Sequence, residues 1–431
     1  MASTPPPPPP PIAHLRAPPL LTLIDELLEE IFLRLPTLTD LARASTVCPS
    51  FRRVITHRCF LRRFRAVHPP PLLGFLPRGQ YGFYPARRPY PSAPLARAVA
   101  HAADFSYSFV PVGRWLKPWL PCDHRQGRVL LKCLPRFDQR YDFRTVVFLS
   151  DLDLAVCDPL HRRYVLLPSV PHQMTDQHAC LVDFDAFLAP TDENVEETTF
   201  KVICTAWNQT NLFAFVFSSV TGQWCIAASP SWSSLGTEAP ISDRHKLANP
   251  DYACGCFYWT GHWVVKLIVL DATEMEFSIV DSVLSSPLIK DSRKFGIVEG
   301  AEGTPLVFFF GAHRDDDSLD LLHITKLNGS EPSEQQQWEN IISLASGRYS
   351  IYGAAEGFLF LHGIPKDQPI IRHNRRFLPE REYFSLDMKT SELKKVGQMK
   401  HILFSAHALF GFPRSFNLMG RGCRWAVRFQ V

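Results

Sequence analysis

The sequence predicts a multidomain α+β chain: a small three-helix unit followed by a much longer, mostly-β domain. Two contrasts carry this. From Leu20 to Arg58 (LLTLIDELLEEIFLRLPTLTDLARASTVCPSFRRVITHR) apolar residues recur at helical spacing between explicit start and stop signals. After about Leu95, short runs of Val, Ile, Phe, Tyr and Trp alternate with turn residues instead. A third observation, a phrase that returns every 50 to 60 residues, gives the β region its architecture.

At 431 residues the chain is long enough for two or more domains, and 46% hydrophobic content is ordinary for a water-soluble fold. A formal net charge of +4 is small at this length, so composition alone gives no general attraction to nucleic acid or anionic membrane. No uncharged apolar run reaches the length of a membrane span. The opening MASTPPPPPPP lacks the charged start and apolar middle of an export signal. Eleven cysteines are scattered singly, apart from Cys254 and Cys256, without CxxC or zinc-ligand spacing. Reduced, buried cysteines in an intracellular protein, cytoplasmic and/or nuclear, are expected. The glycosylation patterns at Asn208 and Asn328 are set aside for want of an export signal.

Residues 1–19 are proline-rich and read as a disordered tail of polyproline character, a solvated spacer or a ligand for aromatic-lined grooves. The helical unit occupies 20–66. In its first helix Leu20, Ile24, Leu27, Ile31 and Leu35 form one apolar strip, and Leu28 and Phe32 add a second. Thr22 with Asp25, and Thr37 with Asp40, have capping-box spacing. Pro36 ends the first helix, and Pro49 suits the first position of the third. That third helix is expected to run on through Arg65. Its arginines, with Arg58, Arg62 and Arg65 on one face, read as a solvated basic face or one paired with acidic groups, ahead of a nucleic-acid patch or import signal. A unit this small and this apolar cannot bury all its own surface, which makes it a candidate binding module.

Residues 67–99 are dense in proline and glycine and read as an irregular connecting segment, pinned by its apolar residues to a folded surface. The β domain is placed at 100–431, with strands expected at 128–133, 145–149, 154–157, 200–205, 212–218, 255–260, 264–270, 277–281, 305–310, 319–326, 358–361 and 383–387. The recurring phrase is strand, polar turn, strand: LAVCDPLHRRYVLLP, FVFSSVTGQWCIAAS, LIVLDATEMEFSIVD, the weaker LLHITKLNGSE, and YFSLDMKTSELKKV. Its turn anchors are Asp158, Ser219, Asp271, Thr325 and Asp387. A second phrase, GCFYW at Gly255 and GAAEGFLF at Gly353, precedes some copies. This period predicts a β-propeller of about six blades rather than a pair of β-sandwiches, which needs no period.

No catalytic motif emerges. GxSxG, Walker, HExxH and GxGxxG patterns are absent from the sequence. His313-Arg314-Asp315 lacks the asparagine of a kinase catalytic loop, and Asp315, Asp316 and Asp317 read as a solvated hairpin tip. His178 with Cys180, and His401 with His407, have no third partner nearby in sequence. No catalytic residue, metal or cofactor is expected.

The opening stretch resembles an F-box. The matching residues are Leu23, Leu27, Leu28, Ile31, Arg34-Leu35-Pro36, Asp40-Leu41, Val47-Cys48 and Phe51-Arg52, while Ile24 replaces a starting proline and Phe51 a common tryptophan. HPPPLLGFL, RVLL, VCDPLHRRYVLLPSVP and LDATEMEF look like the plant F-box families with a β-rich, kelch-like or propeller-like associated domain. The resemblance implies a non-catalytic substrate receptor of an SCF-type (cullin-RING) ubiquitin ligase. The box would dock on a Skp-type adaptor, and through it on cullin, while the β domain recruits a target protein. Leu23, Ile24, Leu27, Ile31, Leu35, Pro36, Leu38, Leu41, Val47, Cys48 and Phe51 would be divided between adaptor contact and internal packing. Two readings stay open beside it. One is a propeller enzyme or carbohydrate-binding protein capped by the helices, the other a non-ligase scaffold with a degenerate box.

Overall fold

The computed structural model describes residues 24–36, 38–68, 70–114, 116–133, 152–171, 183–190, 199–238, 250–260, 266–281, 296–300, 303–312, 319–324, 339–344, 347–365, 381–399 and 406–411. The chain divides into a helical unit, Met1–Pro71, and a β unit, Leu72–Val431. Thr22, Leu23, Thr37, Asp315–Asp317, Thr325, the strand expected at 145–149 and the proline tail lie outside the described residues.

Among its described residues the helical unit has four helices rather than three: α1 (Asp25–Leu33), α2 (Leu38–Ser45), α3 (Pro49–Thr56) and α4 (Arg58–Val67). His57, at φ −66° and ψ 133°, is extended and splits the helix expected to run on through Arg65. The start of α3 is built from sequence-local chemistry. Pro49 occupies its first turn, where a missing N–H costs nothing, and the Cys48 Sγ accepts from the Phe51 N–H at 3.5 Å. By contrast, α1 begins at Ile24 without a side-chain cap, and Asp25 receives the Arg53 guanidinium on both oxygens at 2.9 Å. Leu28, Phe32, Leu41, Phe51, Val54, Ile55, Phe60 and Phe64 form the core. The Phe32 ring meets those of Phe51 and Phe60 edge-on at 5.0 and 6.3 Å.

The β unit starts where an irregular segment was expected. Strand β1 (Leu72–Pro77) is buried along its whole length and lies between β2 (Tyr84–Pro85) and β23 (Ala406–Phe410). Within the β1 ladders Pro77 is the last residue of β1 and Pro85 sits in the two-residue edge strand β2 opposite Gly74, and Gly74 absorbs a bulge against β23. Gly74 has φ 144°, and a Cβ there would collide with the Tyr84 carbonyl. An unexpected helix, α5 (Ala93–Ala102), follows and packs Ala96 and Val99 into the same core as β1.

Five four-stranded antiparallel sheets come next, each a meander in chain order. The first holds β3 (Leu120–Arg125), β4 (Arg128–Cys133), β5 (Asp153–Asp158) and β6 (Arg163–Leu166). The second holds β7 (Asp183–Leu188), β8 (Lys201–Trp207), β9 (Leu212–Ser218) and β10 (Gln223–Ala228). The third holds β11 (Asp251–Ala253), β12 (Cys256–Thr260), β13 (Lys266–Asp271) and β14 (Phe277–Asp281). The fourth holds β15 (Gly296–Glu299), β16 (Pro305–Ala312), β17 (Leu319–Ile324) and β18 (Glu339–Leu344). The fifth holds β19 (Gly347–Ala355), β20 (Phe358–Pro365), β21 (Arg381–Asp387) and β22 (Glu392–Met399). Among the described residues this is a propeller arrangement of five four-stranded blades, one fewer than the approximately six expected. The remaining sheet has three strands and is assembled from both sides of the β unit, with β23 adjoining β19 on one side and β3 on the other.

Strands β4, β5, β8 and β9 are covered on both faces, so their sequences read as apolar runs rather than alternations. In β9, Phe213, Phe215 and Phe217 face the first blade's layer, while Leu212, Ala214 and Val216 enter the layer shared with Trp259 and Ile268 of the third.

The recurring phrases are turns. In three blades the third and fourth strands join through four residues, the last of them left-handed: Arg162, Gly222 and Ser391; in the third blade five residues, Ala272–Glu276, intervene and the fourth, Met275, is left-handed, all four at φ between 52° and 69°. The anchor accepts backbone N–H groups of the turn. Asp158 Oδ1 takes Leu160 and His161, Asp271 Oδ1 takes Thr273 and Glu274, and Asp387 Oδ1 takes Lys389 and Thr390, at 2.7 to 3.4 Å. In the second blade the anchor is Ser218, whose Oγ accepts from Val220 at 3.3 Å, and not Ser219, which accepts from Phe200. The second phrase is the two-residue hairpin between first and second strands: Gln126-Gly127, Cys254-Gly255 and Glu356-Gly357 all have positive φ, as a primed turn requires.

Three residues before two of these hairpins stands an aspartate that reaches the next blade. Asp123 Oδ2 accepts from Leu188 N at 2.6 Å, and Asp251 Oδ2 from Ile297 N at 3.0 Å. Burial pushes the Asp123 carboxyl up, but His407, Arg125, the Leu188 N–H and Arg78 outweigh it and hold the carboxyl below its ordinary value. No cation among the described residues lowers Asp251; burial raises it to about 7, against a lowering by the Ile297 N–H.

Two outcomes follow from this packing. Phe75, fully buried at 5.2 Å from the Tyr352 ring and 5.4 Å from Phe360, holds β1 in place. Phe75→Ala should lower β-unit stability by about 3–5 kcal/mol in denaturant titration. For Asp251, a folded value above the unfolded one means that its contribution is intact in acid and is lost as pH rises through about 7. Asp251→Asn keeps an acceptor without the charge. The melting-temperature difference between variant and parent should therefore move in the variant's favour from about pH 5 to about pH 8. A difference that stays constant would rule out this account of the Asp251 carboxyl.

Candidate interaction surface

Helix α1 carries two apolar strips, and the structure gives them opposite fates. Leu28 and Phe32 are 2% and 3% exposed and belong to the core. Ile24, Leu27 and Ile31 are 62%, 49% and 42% exposed. They stand three and four residues apart, so they share one face of α1. Val47, in the turn between α2 and α3, is 69% exposed, and Pro36 is exposed as well.

The residues named from the sequence therefore separate. Ile24, Leu27, Ile31, Pro36 and Val47 are on the surface. Leu41 and Phe51 are core residues, and Leu35 and Cys48 pack against that core while partly exposed. Leu23 lies outside the described residues, and so does the side chain of Leu38. Transferring a leucine or isoleucine side chain out of water stabilises by about 1.5–3 kcal/mol. The α1 strip is thus a sizeable reserve of binding energy that the helical unit does not use internally.

Burial of Leu28 and Phe32 fixes which face of α1 turns outward, and ion pairs add ties to the neighbouring helices. Arg53 of α3 pairs with Asp25, and Arg63 of α4 pairs with both Glu29 (2.7 Å) and Glu30 (2.6 Å). The Glu30 hydrogen bond, followed by the charges of Glu30 and Glu29, holds the Arg63 guanidinium above its ordinary value despite desolvation. Exposed pairs of this kind contribute little to stability. Their role is orientation, since three of the acidic side chains of α1 are committed to the helices behind it. Two of the arginines read from sequence as a basic face thus find their acidic partner in α1; the side chains of Arg58, Arg62 and Arg65 lie outside the described ones. His68 adds a further tie, its Nε2 2.7 Å from the Leu33 carbonyl oxygen. Sequence reasoning missed these clamps. Their only signal is the spacing of acids in α1 against arginines about 30 residues later.

Among the described residues no group of three His, Cys, Asp or Glu side chains is placed to hold a metal ion. None of the described helices is long and apolar enough to cross a membrane.

Residues 20–63 match the family model of the F-box domain. No curated protein matches the chain. Among solved structures the chain is similar to TolB from Acinetobacter baumannii, at 10% identity and a TM-score of 0.33, over 79% of this chain and 71% of that one. It is also similar to the tricorn protease (9% identity, TM-score 0.32, 63% of this chain and 26% of that one). A third is an oligogalacturonate lyase in complex with manganese (12% identity, TM-score 0.31, 64% and 70%). Likeness at this level carries no argument about activity. What the chain holds is an F-box domain at residues 20–63, followed by a propeller-like β unit.

Proposed function

We propose that the chain is the substrate-recognition subunit of an SCF-type (cullin-RING) ubiquitin ligase. The observation that carries this is the F-box match over a unit whose first helix leaves Ile24, Leu27 and Ile31 outside its own core. In this reading the strip, with Val47 and Pro36, docks on a Skp-type adaptor, and the adaptor links the chain to cullin. The apolar residues provide the affinity of such a contact, and the clamped acids of α1 keep its face oriented. The β unit binds the target. Ubiquitin transfer is performed by other subunits, so the chain needs no catalytic residue, metal or cofactor. An intracellular place of action, cytoplasmic and/or nuclear, belongs to the same proposal. So does kinship with plant F-box chains bearing kelch-like β domains, which rests on the sequence phrases alone.

The test is a pull-down of purified Skp-type adaptor by the tagged chain. Leu27→Asp combined with Ile31→Asp should abolish capture, while the helical circular-dichroism signal and the melt of the β unit stay unchanged, because neither side chain belongs to the core. Leu28→Asp should instead unfold the helical unit, since it buries a carboxylate among Phe32, Leu41 and their neighbours. Normal capture by the double variant would show that the interface lies elsewhere, and no capture by the parent chain would overturn the proposal.

A further inference from the structure

An ionic cluster is enclosed where the closing strand β23 meets the first two blades. Arg78, in the turn after β1, pairs with Asp185 of β7. Asp123 of β3 has its Oδ1 3.3 Å from His407 Nδ1 on β23, while its Oδ2 takes the Leu188 N–H. Arg125 adds a second cation beside Asp123. Two arginines thus stand against two carboxylates. The cluster is balanced before either of its histidines, His124 or His407, takes up a proton.

His124 follows Asp123 in β3. Its ring donates to the Ala408 carbonyl of β23, and its Nε2 is shut off from solvent with no partner among the described residues. The crevice beside it is walled by Ala103, Phe105, Val129, Pro159, Leu160 and Leu409, none with a polar side chain. Charged groups on these neighbouring elements are occupied elsewhere. Asp104 accepts from Ser106 and Ser108 with Arg162 near it, Asp158 holds the His161 ring and its own turn, and Arg128 donates to the Thr199 carbonyl. A neutral imidazole suits this place, because its one N–H has an acceptor and its bare nitrogen needs none. An imidazolium does not, because its second N–H would be buried without an acceptor or a counter-charge. Burial first, then His407 and Arg125, push His124 down to about 4, against Asp123 and the Ala408 carbonyl. Burial and Arg78 hold His407 below its ordinary value as well, against Asp123, the Cys122 carbonyl and Asp185.

We infer that His124 is an acid-sensitive latch of the ring: a proton taken up there parts β3 from β23 and frees the closing strand. The proton is accommodated only where Nε2 reaches water, so acid favours the conformation in which β23 has left the first blade. The folded value of His124 lies below the ordinary one of about 6.5. Its contribution is therefore intact above that value and is lost as pH falls from about 6.5 towards 4. The sign is opposite to that of Asp251, whose contribution is intact in acid. The latch lies within the β unit and holds whatever the helical unit binds.

The experiment is hydrogen exchange of the full chain read by mass spectrometry, corrected at each pH for the intrinsic exchange rate. Peptides over 120–125 and 406–410 are followed against those over 212–218 in the second blade. Between pH 7 and pH 5 the first two should lose protection roughly tenfold or more, while 212–218 keeps it. In His124→Gln, which stays uncharged throughout, that loss should shrink to less than about threefold. Equal loss in the parent and in H124Q overturns the inference, and so does no loss in the parent. Simultaneous loss at 212–218 also overturns it, because that is global unfolding. Should H124Q not fold, deuteration at the ring C2 of His124 in the parent, located by peptide mass, reads its titration directly. A midpoint well below 6 supports the latch, and one at about 6 or above overturns it.

Discussion

The β unit depends on one pairing, the antiparallel ladder between β1 and β23. Consecutive strands within each blade meet through short sequence separations, and each blade forms as a local meander. A ring of blades has no such local means of closing. Here residues 72–77 pair with residues 406–410, and His407 reaches across to donate to the Cys122 carbonyl of the first blade at 3.0 Å. Entropically this is the most expensive contact of the fold, because more than 300 residues lie between its partners. The apolar density of β1, with Leu72, Leu73, Phe75 and Leu76 all buried, is the compensation. The aspartates at the inner edges perform the same task locally, tying the first blade to the second and the third to the fourth through single backbone N–H groups.

The helical unit is governed by a different economy. Its core is filled by the aromatic rings of Phe32, Phe51, Phe60 and Phe64, and that core is complete without the outer strip of α1. Apolar side chains that add nothing to internal packing are maintained in water next to charged residues that hold the helix in one orientation. This division of labour within a single nine-residue helix is what distinguishes a docking unit from a truncated core.

Much of the architecture was legible because the chemistry that makes it is local. Strands β4, β9 and β14 coincide with the ranges read from the sequence, and the repeated phrase corresponds to a hairpin whose anchor must accept turn N–H groups. One anchor was misplaced by a single residue, at Ser219 instead of Ser218, since adjacent serines cannot be told apart without the ladder register. Strand β1 was missed because prolines crowd its borders, and local propensity says nothing of a partner at residue 406. Helix α5 was missed because an alanine-rich stretch opening on a proline has a weak apolar period. In the helical unit the apolar spacing located the candidate surface, but it could not tell Leu27 from Leu28. That choice is made by α3 and α4, which lie 20 to 40 residues away in sequence.

The position of β1 has a mechanical consequence. Only four residues separate the last residue of α4, Val67, from the first of β1, Leu72. Any tension applied through the helical unit therefore enters the β unit at its closing strand, held between β2 and β23 by hydrogen bonds on both sides. Under load the seam, rather than a peripheral hairpin, sets the force at which the ring opens. A chain pulled from its helical side would thus resist until β1 leaves, and then lose the continuity of the whole ring in one event.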